Sequence, residues 1–218
     1  MENKTRNDEI YRLPIITYKM VSIQNYSVKP LVDYFEQLLK LSEKEIQLVE
    51  TLFKPRLYRK KQFVLQEGDQ CNHMNFILRG CLRMYKIDEK GIIHIIQFPV
   101  KNWWSVDIGS FHGRKASTLN IDALEDTIVF QISYEDLINL YTMAPVFDRI
   151  FRVLMENSYV SLQNRLLQMI SSTADERYES FLENYPDLAN RLSQVQISAY
   201  LGITPEFLSR LRNKRVKS

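Results

Sequence analysis

Ser193-Gln194-Val195-Gln196-Ile197-Ser198-Ala199-Tyr200-Leu201-Gly202-Ile203-Thr204-Pro205-Glu206-Phe207-Leu208-Ser209-Arg210-Leu211-Arg212 is the stretch on which the reading of this chain turns. It contains two short amphipathic helices on either side of a glycine. Ser193 and Gln196, three residues apart, form a capping box at the start of the first helix. Ile197, Tyr200 and Leu201 recur at helical spacing and form its inward face. Gly202 stands where a helix ends in a left-handed residue, a conformation in which a Cβ is costly. Ile203 is expected to be buried in the turn. Thr204 caps the second helix, Pro205 suits its first turn, and Glu206 lies at the positive end of its dipole. Phe207, Leu208 and Leu211 make the inner face, and Glu206, Ser209, Arg210 and Asn213 are left to point outward.

Two helices joined in this way build a helix-turn-helix, whose second helix enters the DNA major groove. The rival is an ordinary helical hairpin. Charge favours the first. From Leu188 to Ser218 six basic residues (Arg191, Arg210, Arg212, Lys214, Arg215 and Lys217) face one acid, Glu206. That is +5 within a chain of net charge +3, so the other 187 residues sum to −2. A basic end on a mildly acidic body implies a phosphate-binding module. A solubilising tail would account for Lys214-Arg215-Val216-Lys217, but not for Arg210 and Arg212 within a helix. Base reading falls to Glu206, Arg210 and Ser209. Phosphate contact falls to Arg191, Ser193, Thr204, Arg212 and Lys214.

Upstream, the pattern changes. Leu31 to Leu39 and Ser42 to Phe53 read as helices, the second with Ser42 and Glu45 as a capping box. Then come short apolar runs at Gln62–Leu65, Asn75–Leu78, Leu82–Ile87, His94–Phe98, Thr118–Ala123 and Thr127–Ile132. Glu67-Gly68-Asp69, Gly80 and Asp88-Glu89-Lys90-Gly91 separate them. This spacing predicts an antiparallel sandwich or barrel. After Ser133 the period becomes helical: a short helix to Tyr141, then a long one from Pro145 to about Ile170. Phe147, Phe151, Leu154, Ser158, Leu162, Leu166 and Met169 form its stripe, expected to meet a second copy in a parallel dimer, with an intramolecular core helix as the rival. Thr173 and Glu176 cap a further helix, Ala174 to Asn184.

The fold class expected is therefore α+β. Residues 1–30 form an extension, irregular through residue 19 and with Met20 as an alternative start. Residues 31–144 form a sensing roll, 145–171 a dimerisation helix, and 172–218 the DNA-binding part. At 218 residues, 45% hydrophobic and 25% charged, the chain has the composition of a soluble globular protein. No apolar run approaches the roughly 20 residues of a membrane span. Cys71 and Cys81 suit neither a disulfide framework nor a metal site, so a reducing cytoplasm is expected. Three histidines without paired ligand spacing, and the absence of a nucleophile elbow or phosphate-cradling loop, argue against an enzyme.

The order of helical lead, roll, long helix and helix-turn-helix resembles the Crp/Fnr family of bacterial transcriptional regulators, from about Leu31 to Arg215. Its landmarks are Glu67-Gly68-Asp69, Phe76-Ile77-Leu78-Arg79-Gly80, the turn at Gly91, Asp122-Ala123-Leu124-Glu125-Asp126, and Ile203-Thr204-Pro205-Glu206-Phe207-Leu208-Ser209-Arg210. The resemblance implies a cyclic-nucleotide-binding type of jelly roll, a winged helix-turn-helix, a homodimer, a two-fold symmetric duplex operator, and RNA polymerase as a further partner. Glu206 and Arg210 match the family's base-reading Glu and second Arg, whereas Pro205 replaces the first Arg.

The effector loop departs from the family. Nucleotide-binding members carry a Gly-Glu pair and then an Arg on the cyclic phosphate. Here Trp103 to Thr118 has no Gly-Glu, and Ser117 stands at the Arg position. A phosphate without a fixed guanidinium is poorly held, so cAMP binding is not expected. Trp103, Trp104, Asp107, Arg114, Lys115, Ser117 and Thr118 are the candidate pocket for another, unknown small-molecule effector. The aromatics equally suit closure of the core. The family's oxygen sensors hold an iron–sulfur cluster on several cysteines, which two roll cysteines do not supply, and no cofactor is expected. The second class of function is a sensing or interaction module of this fold without DNA binding.

Overall fold

Eight strands between Lys54 and Ser133 form two four-stranded sheets in the computed structural model, which describes residues 26–216. The expectations for the first 25 residues and for Lys217 lie outside the described residues. The strands are β1 (Lys54–Tyr58), β2 (Phe63–Leu65), β3 (His73–Arg79), β4 (Leu82–Ile87), β5 (Ile93–Gln97), β6 (Trp104–Ser105), β7 (Asn120–Ala123) and β8 (Thr127–Ser133). One sheet runs β1-β8-β3-β6 and the other β2-β7-β4-β5. Every pairing is antiparallel. Apart from the β4–β5 hairpin, consecutive strands swap between sheets, as in a jelly roll.

Turn chemistry holds this register. Gly80 joins β3 to β4 at φ +106°, and a Cβ there would lie 2.7 Å from the Thr127 backbone. The Thr127 hydroxyl accepts from Cys81 N–H at 3.1 Å. Glycine is required at that corner by both conformation and space.

Among the described residues eight helices accompany the roll: α1 (Lys29–Glu36), α2 (Glu43–Leu52), α3 (Ile108–Gly113), α4 (Tyr134–Met143), α5 (Val146–Ser171), α6 (Ala174–Asn184), α7 (Gln194–Leu201) and α8 (Pro205–Val216). Capping boxes at Ser42/Glu45, Thr173/Glu176 and Ser193/Gln196 start α2, α6 and α7. The α+β class is therefore as expected, but β1, β6 and α3 are additions. Pro55 argues against a strand, yet β1 is an edge strand, where a missing N–H is tolerated. The wing implied by the family resemblance is not formed among the described residues. Every strand there belongs to the roll, and α8 follows α7 with helix and turn alone.

Two apolar clusters divide the interior. The first joins the roll to α1, α4 and the beginning of α5. Phe35 touches the rings of Phe53, Trp104, Phe147 and Phe151. This corrects the expected dimer stripe. Phe147, Phe151 and Leu154 are buried in their own chain, because the first turns of α5 lie on the roll and close it. Exposed apolar side chains begin farther along, with Tyr159, Val160, Leu162, Leu166, Leu167, Met169 and Ile170. Ser158 is exposed beside them.

The second cluster gathers Tyr178, Phe181, Tyr185, Leu188, Ile197, Leu201, Leu208 and Leu211 from the C-terminal helices and the connection between α6 and α7, together with Cys81, Tyr85, Ile95 and Phe98 from the roll. The outer face of β4 and β5 thus supplies one wall of the C-terminal core. No helix among the described residues is long and apolar enough to cross a membrane.

Candidate nucleic-acid interface

The turn between α7 and α8 is built from backbone bonds that only one residue type permits without strain. Gly202 ends α7 at φ 68°, and its N–H donates to Ser198 O. Ile203 N–H donates to the same carbonyl at 3.1 Å, the 6→1 bond seen in Schellman endings, here beside a 5→1 bond from Gly202. A Cβ on Gly202 would meet nothing within 4 Å, so glycine is needed there for its φ alone. Thr204 Oγ1 then accepts from Phe207 N–H at 3.2 Å and starts α8.

Burial fixes which side of α8 faces out. Leu208 and Leu211 are buried against Ile197 and Leu201. Glu206, Arg210, Asn213 and Lys214 are exposed and Ser209 is half-buried. Glu206 and Arg210, four apart, share one face of the helix. Neither enters an ion pair among the described residues. The Arg210 guanidinium lies 5.3 Å from the Phe207 ring centroid, which props it outward.

The five expected phosphate contacts separate. Lys214 is 80% exposed and pairs loosely with Asp175 at 3.7 Å. Arg191 pairs with Glu125, in the turn between β7 and β8. The Ser193 and Thr204 hydroxyls cap their own helices. Arg212 corrects the expectation: it is turned inward, donating to Tyr178 Oη at 3.1 Å and to Ala189 O at 3.4 Å. Its long side chain is better satisfied bracing α8 on α6 than in water.

The seven residues of the expected effector pocket do not line one cavity. Trp103 packs on Tyr185 at 5.4 Å, and Trp104 sits among Phe35, Phe53, Phe76 and Phe151. Asp107 caps α3 through Ser110 N–H and accepts from Ser117 Oγ at 2.7 Å. Arg114 lies over the Tyr134 ring and reaches Glu135 at 3.3 Å. Lys115 and Thr118 are exposed. Trp103, Trp104, Asp107, Arg114 and Ser117 are thus engaged by local partners.

A cavity of about 330 Å³ opens elsewhere, between the two sheets, lined by Arg56, Tyr58, Leu65, Gln70, His73 and Asn75 among others. The sequence reading missed these residues because β1 was not recognised. A polar Asn75 inside an apolar strand was the available signal. Burial, and Arg56 after it, push the His73 pKa below its usual value. Burial raises the Cys71 thiol and pushes Cys81 up to about 12, leaving little thiolate at neutral pH.

Comparison with known proteins agrees with this architecture. The family model for the cyclic nucleotide-binding domain matches residues 55–143. Regulatory protein HlyX of Actinobacillus pleuropneumoniae is 27% identical over 216 residues, covering 91% of this chain and 85% of that one. The fumarate and nitrate reduction regulatory protein of Vibrio cholerae is 29% identical over 196 residues, covering 82% and 75%. Among solved structures, a chain assigned to the Crp/Fnr family from Eubacterium rectale superposes with a TM-score of 0.64 at 18% identity, covering 85% of this chain and 88% of that one. Regulators matched along most of their length, a nucleotide-binding type of roll and a terminal helix-turn-helix lead to one conclusion: the chain carries a cyclic nucleotide-binding domain and is similar along most of its length to bacterial transcriptional regulators of the Crp/Fnr type.

Proposed function

We propose that the chain acts as a homodimeric, sequence-specific DNA-binding regulator in the cytoplasm, with α8 as its recognition helix. The observation that carries this reading is the outward pair Glu206 and Arg210 on a helix whose opposite face is buried. Arg210 reads a guanine edge with paired hydrogen bonds, Glu206 accepts from a cytosine amino group, and Ser209 lies between them. Lys214 and Arg191 contact phosphates, Arg191 after leaving Glu125. Ser193 and Thr204 present helix N-terminal N–H groups rather than free hydroxyls.

Dimerisation falls to the distal part of α5, where Leu162, Leu166, Met169 and their neighbours are exposed. Two copies paired there set the recognition helices about one DNA turn, roughly 34 Å, apart. The boundaries proposed are a roll over 31–144, the long helix over 145–171 and the DNA-binding part from 172. RNA polymerase is a further partner in this reading. No catalytic role and no cyclic nucleotide belong to it.

Selection of bound duplexes from a random DNA pool tests the proposal, and a two-fold symmetric consensus is expected. A chain that enriches no duplex is instead a sensing or interaction module of the same fold.

A further inference from the structure

Arg165 lies near the end of the long helix, between exposed apolar side chains on either side of it in sequence, with its guanidinium turned inward. It donates to three carbonyls: Ile96 O, Ile95 O at 2.8 Å, and Tyr200 O at 3.2 Å. Its guanidinium also lies 3.7 Å from the centroid of the Tyr200 ring. No salt bridge among the described residues includes it. A half-buried cation without a carboxylate is costly unless fixed acceptors satisfy its donors, and here carbonyls from two parts of the molecule do so.

The acceptors are special in each part. β5 is an edge strand of its sheet, so its outer carbonyls lack a ladder partner. The pairing shifts from Met84↔Gln97 to Tyr85↔Ile95, which leaves Ile96 as the extra residue of a bulge. A bulge turns consecutive carbonyls toward one side, where one planar fork can reach both. Tyr200 lies in the last turn of α7, whose carbonyls have no partner within the helix and favour a cation. Arg177 Nε donates to the next carbonyl, Leu201 O, at 3.2 Å. Two guanidinium groups, from α5 and α6, therefore hold the end of α7 immediately before Gly202.

The rings around this clamp join the same two parts. Phe98, which follows β5, packs on Tyr200 at 5.4 Å and on Tyr185 at 6.1 Å. This is the wall that the roll supplies to the C-terminal core, on the side away from the outward face of α8.

We propose that Arg165 is a positioning residue for DNA binding: by tying the end of α7 to the bulged edge of β5, it fixes the direction of the recognition helix relative to the roll and the dimer helix. The proposal rests on the DNA-binding reading. With the clamp in place, the two recognition helices of a dimer are held at one separation and angle. Without it, α6 to α8 swing about Ser172 and accept several half-site spacings.

The full chain and the duplex recovered by selection provide the test. Half-sites are placed at the selected spacing and at one and two base pairs more or fewer. Each added base pair turns one half-site by roughly 34° about the duplex axis, so a rigid dimer should prefer its own spacing by about tenfold or more. Arg165→Met keeps the apolar stem and removes the donors. It should lose most of that preference while melting close to wild type, and Arg165→Lys should fall between. Wild-type spacing preference in Arg165→Met overturns the assignment, whatever its overall affinity. If Arg165→Met does not fold, Arg165→Lys decides, and an undiminished preference overturns the assignment in the same way.

Amide hydrogen exchange supplies a readout without DNA. Faster exchange at Ile95–Gln97 and Ser198–Gly202 in Arg165→Met, with β8 unchanged, supports the clamp, and unchanged exchange overturns it. A wild-type chain that selects no duplex overturns the DNA reading and the positioning role with it, and exchange still decides whether the clamp exists.

Discussion

Ser117 Oγ donates to Asp107 Oδ2 across 2.7 Å, and this bond ties the loop after α3 to the chain's own carboxylate. The family resemblance sets Ser117 at the position where an Arg for a cyclic phosphate would be expected. Here Asp107 caps α3 from below and takes the hydroxyl from across the loop. A phosphate entering that space would displace the bond and meet a like charge. Cyclic AMP or cyclic GMP at about 1 mM should leave the melting temperature unchanged. A ligand at 100 times its Kd would add about 2.7 kcal/mol of stability, several degrees for a chain of this size. Such a shift would refute the closed-loop account. Asp107→Ala should lower unfolding stability by about 1–2 kcal/mol, through loss of a cap and of the partner of a buried hydroxyl.

Gly80 and Gly202 both have positive φ, but for different physical reasons. At Gly202 a side chain has room and only the backbone angle resists it. Gly202→Ala should cost about 1–2 kcal/mol, and Gly202→Asn less, since Asn tolerates the left-handed region. At Gly80 a Cβ would also press on Thr127, and Gly80→Ala should cost roughly 3 kcal/mol or more. Urea unfolding of the three variants checks the order. Equal losses for the two alanine variants would show that the β3–β4 corner can relax.

The long helix is buried in its first turns and exposes apolar side chains beyond them, and the proposed pairing surface lies in that second part. Phe151→Ala should cost about 3–5 kcal/mol of stability through the cavity it leaves, with any remaining folded chain still dimeric. Leu166→Glu should leave the fold intact, because Leu166 is 56% exposed, and should shift the chain from dimer to monomer. Sedimentation equilibrium distinguishes them. A dimer that survives Leu166→Glu would place the pairing surface elsewhere.

His73 gives the roll a signed pH dependence. Burial is the larger cause of its lowered pKa and Arg56 the second, with Glu135 and Asp136 opposing. The folded chain holds this proton more weakly than the unfolded chain, so protonation favours unfolding. The contribution is complete above the ordinary value of 6.5 and is lost as pH falls from there toward the depressed folded value. Between pH 7 and 5, His73→Gln should lose less stability than wild type in urea titrations. Parallel losses would mean that His73 takes up its proton alike in the folded and unfolded states.

Much of the C-terminal architecture was legible because it is local. Capping boxes, Gly202 and helical spacing are decided within four residues, and α6 and α7 start where Thr173 and Ser193 place them. Strands β1 and β6 were not legible, because a Lys-Pro edge and a two-residue strand derive their pairing from distant partners, Gln131 and Asn75. The same limit misdirected the stripe on α5. Periodicity marks an apolar face but not what covers it, and the roll claimed Phe147, Phe151 and Leu154. Arg212 and Trp104 carried the right chemistry for a surface contact and a pocket wall, yet Tyr178 and the ring cluster around Phe35 engage them. Arg165 drew no attention, since its three acceptors are main-chain carbonyls that no side-chain pattern reveals.

The central claim, that the outward face of α8 reads base pairs, is tested most directly by titrating wild type and Arg210→Ala with the selected duplex and with single-base variants at rising salt. Wild-type affinity should fall linearly with salt on logarithmic axes. Arg210→Ala should bind about 1–3 kcal/mol more weakly and lose discrimination at one base pair in each half-site. Unchanged affinity and unchanged base preference in Arg210→Ala would contradict the account.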